Sequence, residues 1–246
     1  MTQESVVMLT GLIFVAAMLY ASVGHGGASG YLAAMALFGV APEVMKPTAL
    51  VLNILVSALA AGSFARAGFF DFRLFWPFAL ASVPMAFVGG AIQAPSGVYR
   101  AIVGVVLLFA ATRFLIDVPA ARSDQGGRPA LWSSLAWGAG IGLLSGLTGV
   151  GGGIFLTPLL LLAGWADARR ASAVSAAFIF VTSLAGLAGH LASVGQVPGA
   201  IRIWAPAALV GGFLGARVGS RHLAPKSLRR VLALVLLVAG LKLVAS

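Results

Sequence analysis

Nearly the whole chain is a succession of apolar runs, at about residues 6–41, 47–65, 74–94, 98–116, 131–165, 171–189, 200–219 and 227–245. Charge is confined to the short gaps between them, and that arrangement leaves few possible folds. With 60% hydrophobic and 9% charged residues among 246, and a mean hydropathy of +1.03, there are too few charges to coat a water-soluble globule. Such a globule carries roughly 25%. Lipid is the natural solvent for most of this surface, so the expectation is an all-α integral membrane protein whose partner is the bilayer. The net charge of +10 then reads as orientation charge in short loops, with no nucleic-acid partner. The absence of cysteine excludes a disulfide framework, a thiolate metal site and a cysteine nucleophile. Three histidines and six acids leave little material for a metal centre, and neither a metal nor a cofactor is expected. The opening stretch has Glu4, no basic n-region and no small-x-small cleavage site, so it reads as a retained first membrane segment.

One stretch looks like a hydrated linker, Asp117 to Pro129, with its two aspartates, two prolines, two glycines and two arginines. It separates two halves that resemble each other. Gly24-His25-Gly26-Gly27 interrupts the opening run of the first half, and Gly149-Val150-Gly151-Gly152-Gly153 interrupts that of the second, 125 positions later. Each is followed by about a dozen apolar residues and a short polar stretch, Pro42–Lys46 and Asp167–Arg170. Thr48 and Ser175 then open a small-residue helix. Gly68 answers Gly195, Trp76-Pro77 answers Trp204-Ala205-Pro206, and Arg113 answers Lys242. Order kept over the whole chain points to duplication. The divisions are a first transmembrane repeat, 1–116, a cytoplasmic linker, 117–129, and a second transmembrane repeat, 130–246.

Charge argues the orientation. If each glycine-broken opening segment enters the bilayer and returns, each half crosses an odd number of times and the second is inverted. Twelve Arg and Lys then share one side, and Lys46, Arg100, Arg202 and Lys242 share the other. If the broken segments cross once, the split falls to nine against seven. Positive charge collects on the cytoplasmic side, which favours the hairpins. The expected fold is two inverted-topology repeats, each a Gly-broken helical hairpin plus three spanning helices. That is about ten membrane segments, or eight if each broken segment is counted once. The termini face outward and the linker lies in the cytoplasm of a multi-pass inner (plasma) membrane protein.

A helix can stop inside a bilayer only where its freed backbone groups meet protein, water or a polar ligand. The legs resuming near Ala28 and near Ile154 start with unpaired N–H groups and the positive end of a helix dipole. Interrupted helices at corresponding positions of two halves point to a transporter's binding site. Two such ends converging near the midplane would hold an anion. His25 lies between glycines at membrane depth, where an ionisable group is costly. Thr48, Asn53 and Ser57 follow the first hairpin, and Ser175, Thr182 and Ser183 hold related places in the second half. Their spacing sets several near one helix face. Trp76, Trp132, Trp137, Trp165 and Trp204 lie near segment ends, as interfacial anchors do.

The duplicated Gly-x-Gly-Gly, the Thr or Ser opening the next helix and the basic central loop together resemble the sulfite exporter TauE/SafE family over essentially the whole chain. The resemblance implies a carrier of sulfite, organosulfonates or other small organic anions, and carries over to Gly24, Gly26 and Gly27, and to Gly149, Gly151, Gly152 and Gly153. One departure is His25, where the second half has Val150. The full candidate substrate site adds His25, Ser29, Thr48, Asn53 and Ser175. Export has its own argument. A cell interior negative by about 100 mV expels each negative charge with roughly 2.3 kcal/mol, and no Gly-x-x-x-x-Gly-Lys-Ser/Thr motif is present to bind nucleotide. Two alternatives stand beside the carrier. One is an intramembrane serine protease using Ser29, in a Gly-x-Ser-Gly turn, with His190. The other is an anion channel.

Overall fold

The computed structural model describes residues 2–115, 129–196, 198–219 and 226–245. The expected linker Asp117–Pro129, apart from Pro129, and His222 in the basic 217–230 stretch lie outside them. Every regular element among the described residues is helical: α1 (Gln3–Ala21), α2 (Ala28–Leu37), α3 (Pro42–Arg66), α4 (Phe72–Ala91), α5 (Ser96–Leu115), α6 (Leu131–Thr148), α7 (Gly153–Leu162), α8 (Ala168–Val194), α9 (Ile201–Gly219) and α10 (Lys226–Ala245). Thr2 caps α1, and Pro42 opens α3 with its fixed φ. Asp71 and Asp167 cap α4 and α8, each accepting two first-turn N–H groups.

Five helices, α1, α3, α4, α8 and α9, are long and apolar enough to cross a membrane by length and composition. The ten-residue α2 and α7 are not, since such a helix spans about 15 Å, half of a roughly 30 Å hydrocarbon layer. The molecule is turned inside out relative to a soluble protein. Large apolar side chains such as Leu80, Val105 and Val218 lie outside, while Thr48, Asn53, Ser57, Ser145, Ser175, Thr182 and Ser183 are fully buried. Trp132, 82% exposed, suits the expected anchor role, but Trp204 is buried, because α9 turns it into the main core with Val56 and Leu236.

The halves interleave. Helix α1 packs on α9, α4 on α6 and α8, α3 on α8 and α9, and α5 on α10. Advancing each helix by five places turns α4–α6 into α9–α1 and α4–α8 into α9–α3, while α3–α8 and α5–α10 map onto themselves. The pairs made by α2 depart from this scheme, since α1–α2 is closely packed and its counterpart α6–α7 is not. Helix α2 packs along α10, whereas α7 approaches α5 mainly through Phe155 stacked on Phe109 at 5.3 Å. Beside that stack runs an apolar groove of about 450 Å³, bordered by Ala101, Val105 and Leu144.

Small residues set these distances. Gly138, Gly142 and Gly146 lie every fourth residue along α6, against the carbonyls of Phe78, Ser82 and Ala86, every fourth along α4. Gly211 and Gly215 of α9 meet Phe14 and Met18 of α1 in the same manner, and Gly104 and Gly240 face each other between α5 and α10. In lipid no hydrophobic effect drives helices together, so this backbone approach supplies the packing. A Cβ on Gly146 would fall on the Ala86 carbonyl, whereas one on Gly140 meets nothing within 4 Å. Gly146→Ala should therefore destabilise the fold by about 1–3 kcal/mol, read as a lowered thermal midpoint in detergent, with Gly140→Ala at the wild-type value.

Candidate functional site

Each opening segment breaks where its glycines fall. Helix α1 ends at Ala21; the chain turns through Gly24 (φ +76°) and Gly27 (φ +99°), and α2 begins at Ala28. Helix α6 ends at Thr148 and is capped by Gly149 (φ +82°), and α7 begins after Gly151 and Gly152, both also at positive φ. Only glycine adopts these angles without strain. Both breaks are buried. Their amides and carbonyls thus depend on the protein for partners.

Asn53, fully buried on α3, reaches both breaks. Its Oδ1 accepts from the Ala28 N–H at 3.1 Å, the first amide of α2, and its Nδ2 donates at 3.4 Å to the carbonyl of Gly149, the residue that caps α6. Gly26 and Gly151 press on this carboxamide from the two breaks, leaving no room for a Cβ at either. Ile179 of α8 touches the same two glycines. The reach is repeated lower down, where Gly24 lies against Ser172 at the start of α8 and Gly149 against the Lys46 backbone at the start of α3.

A hydrogen-bonded chain crosses between the halves. The His25 Nε2 lies 3.2 Å from Thr157 Oγ1 on α7, and Thr157 donates to Ser175 Oγ on α8 at 2.8 Å, while His25 Nδ1 lies 3.1 Å from the Val23 carbonyl. Thr182 donates to the Gly151 carbonyl and, more closely, to its own helix at Phe178. Tyr31 donates to the Gly26 carbonyl at 2.7 Å, and Tyr99 to that of Thr148 at 2.9 Å. These tyrosines, with Thr157 and Ile179, escape a sequence reading centred on glycines and on the helices after the hairpins.

Of the residues expected at the site, the structure gathers His25, Gly26, Asn53, Gly151, Gly153 and Ser175 in one place. Gly27 and Gly152 complete the turns; Gly27 packs on the Tyr31 ring and Gly152 on Phe178. Ser29 is buried on α2 and hydrogen-bonded with Tyr20. The hydroxyl of Thr48 is buried and finds no partner among the described residues. His190 lies seven positions beyond Ser183 on α8 and bonds the backbone at Gln196. No hydrogen bond among the described residues joins it to Ser29. One expectation needs adjusting: the amino end of α2 already has a resident acceptor in Asn53.

Lys46 is a further surprise. Its buried ammonium donates to the carbonyls of Gly90 at 2.8 Å, Ile92 at 3.0 Å and Gly89 at 3.2 Å. A cation thus closes the carboxyl end of α4, where the helix dipole is negative. No metal-binding cluster of His, Cys, Asp or Glu occurs among the described residues.

If Asn53 ties the breaks, Asn53→Leu strands a buried N–H and a buried carbonyl. It should cost on the order of 2–5 kcal/mol, measured as a lowered unfolding midpoint. Ser57→Ala, one turn on and bonded only to the Asn53 carbonyl of its own helix, should cost far less.

The chain matches the family model described as "Sulfite exporter TauE/SafE" over residues 9–243. It is 40% identical over 233 residues to the probable membrane transporter protein y4hK of Sinorhizobium fredii, covering 94% of each chain. It is also 31% identical over 127 residues to the probable membrane transporter protein YunE of Bacillus subtilis, covering 49% of this chain and 46% of that one. A probable membrane transporter protein of Methanocaldococcus jannaschii is 36% identical over 109 residues, 41% of this chain and 40% of that one. No solved structure matches. The relatives are named as transporters and not as enzymes, which sets aside the protease built on Ser29 and His190; this multi-pass membrane protein belongs to the sulfite exporter TauE/SafE family of membrane transporters.

Proposed function

We propose that the protein exports small anions such as sulfite or organosulfonates, bound near the bilayer midplane between the two glycine breaks and released by alternating access. The observation that carries this reading is the meeting of the breaks. The first amide of α2 and the carbonyl that caps α6, from different halves, meet at one carboxamide, with a histidine and hydroxyls beside them. Helix amino ends carry partial positive charge, which suits a compact anion. Gly24, His25, Gly26, Gly27, Ser29, Thr48, Asn53, Gly149, Gly151, Gly152, Gly153 and Ser175 form the proposed site and its frame.

Residues 1–116 and 130–246 act as inverted repeats joined by a cytoplasmic linker at 117–129, with both termini outside the inner membrane. Support comes from the charge bias and from the packing scheme, whose most extensive pairs return when helices are exchanged five places on. Alternating access is then a rocking of one repeat against the other around a fixed site. Interior-negative potential drives an anion outward, by roughly 2.3 kcal/mol per charge at about 100 mV, and no buried carboxylate stands at the site among the described residues to carry a counter-proton. In proteoliposomes, sulfite flux should saturate, show counterflow and rise with an interior-negative potential. Flux that stays linear to high concentration without counterflow would identify a channel instead.

A further inference from the structure

We propose that Lys46 supplies the positive charge by which the site selects anions, acting through space from beside the second break without touching the ligand. This rests on the carrier reading above and names a residue outside the proposed site that sets its charge preference. Lys46 is buried, and an ammonium has three N–H donors. All three are taken, by the carbonyls of Gly90 at 2.8 Å, Ile92 at 3.0 Å and Gly89 at 3.2 Å. No acid among the described residues forms an ion pair with it. Glu43, one turn earlier on α3, is exposed and accepts from Ser96, and Asp167 pairs with Arg170 at the start of α8. A neutral amide would cap these carbonyls at a lower desolvation cost. Capping α4 therefore leaves the charge itself unaccounted for.

Contacts set that charge close to the break. The Lys46 backbone lies against Gly149, whose carbonyl Asn53 holds. Gly90, which takes the ammonium, packs against Gly146 of α6 and Gly186 of α8. Gly146 stands one turn before Gly149, and Gly186 one turn beyond Ser183, whose buried hydroxyl has no partner among the described residues. What separates the ammonium from the break is thus packed backbone, which excludes mobile ions and leaves the charge unscreened by salt. Lys46 precedes Asn53 by two helical turns, about 10 Å along the axis. A unit charge at about that distance, in surroundings of effective dielectric about 20, changes the binding of a monoanion roughly tenfold. Asn53, Thr157, Ser175 and the glycines of the breaks bring dipoles but no charge. The first break has no equivalent neighbour: Gly24 meets Ser172 where Gly149 meets Lys46, and the cations at that end, Arg169 and Arg170, face the Phe69 ring and Asp167.

The test is thermal unfolding of the purified full chain in detergent, with sodium methanesulfonate, sulfite or sulfate against gluconate at matched ionic strength. Wild type should be stabilised by at least one of the three. Lys46→Gln keeps amide donors for the α4 carbonyls and removes the charge, while Lys46→Arg keeps the charge. In Lys46→Gln, half-saturation should weaken about tenfold for methanesulfonate, a monoanion, and by the square of that factor for sulfate, a dianion of the same tetrahedral build. Lys46→Arg should bind as wild type does. A cap without electrostatic reach would lower the unfolding midpoint with no such dependence on ligand charge. Half-saturation unchanged in folded Lys46→Gln, or weakened equally for both anions, overturns the role of the charge and leaves the carrier standing. A comparable loss in folded Lys46→Arg overturns it too, even where Lys46→Gln fails to fold. Absence of any shift in wild type with all three anions defeats the carrier reading itself.

Discussion

A helix that stops inside a protein surrounded by lipid must place its freed amides and carbonyls somewhere, because no water is at hand. In this chain that requirement falls on two breaks at once, and one side chain meets part of it for both. Asn53 takes the first amide of α2 with its oxygen and the carbonyl of Gly149, the cap of α6, with its nitrogen. A carboxamide suits this place because it is at once donor and acceptor and carries no charge to desolvate. The glycines follow from it. Gly26 and Gly151 are where they are because the Asn53 amide fills the space a side chain would need.

The surrounding helices hold that arrangement by close backbone contact more than by bulk. Glycines at four-residue spacing on α6 and α9 bring those helices onto α4 and α1, helices from the other half of the chain. The two halves are therefore woven together, and a relative motion must slide helices along these smooth seams. Where the scheme loosens is between α5 and α7, at the stacked pair Phe109 and Phe155 and the groove beside it. Lys46 works against loosening elsewhere, pinning the start of α3 to the end of α4 through three carbonyls.

Much of this is readable from residue order. Long apolar runs dictate helices in lipid, and glycine clusters mark where two of them break, with α2 starting at Ala28 and α7 at Gly153, one residue before the expected Ile154. Less is readable about partners far apart in the chain. Lys46 looks like a loop cation, because its acceptors are backbone carbonyls 43 to 46 residues away and leave no mark in side-chain identity. Trp204 looks like an interfacial anchor until α9 is seen packed against α1 and α3. Nor does periodicity show that Asn53 already serves the α2 amide, since that depends on the crossing of α3 past both hairpins.

The most direct measurement is a ¹⁵N–¹³C dipolar recoupling experiment by solid-state NMR on the protein in lipid, between the Ala28 amide nitrogen and the Asn53 side-chain carbonyl carbon. A hydrogen bond of 3.1 Å from that nitrogen to Oδ1 predicts strong through-space transfer between these nuclei, lost in Asn53→Leu. Absence of transfer in a well-resolved spectrum would mean that the first break is not tied to α3, and the account of two breaks meeting at one carboxamide would be wrong.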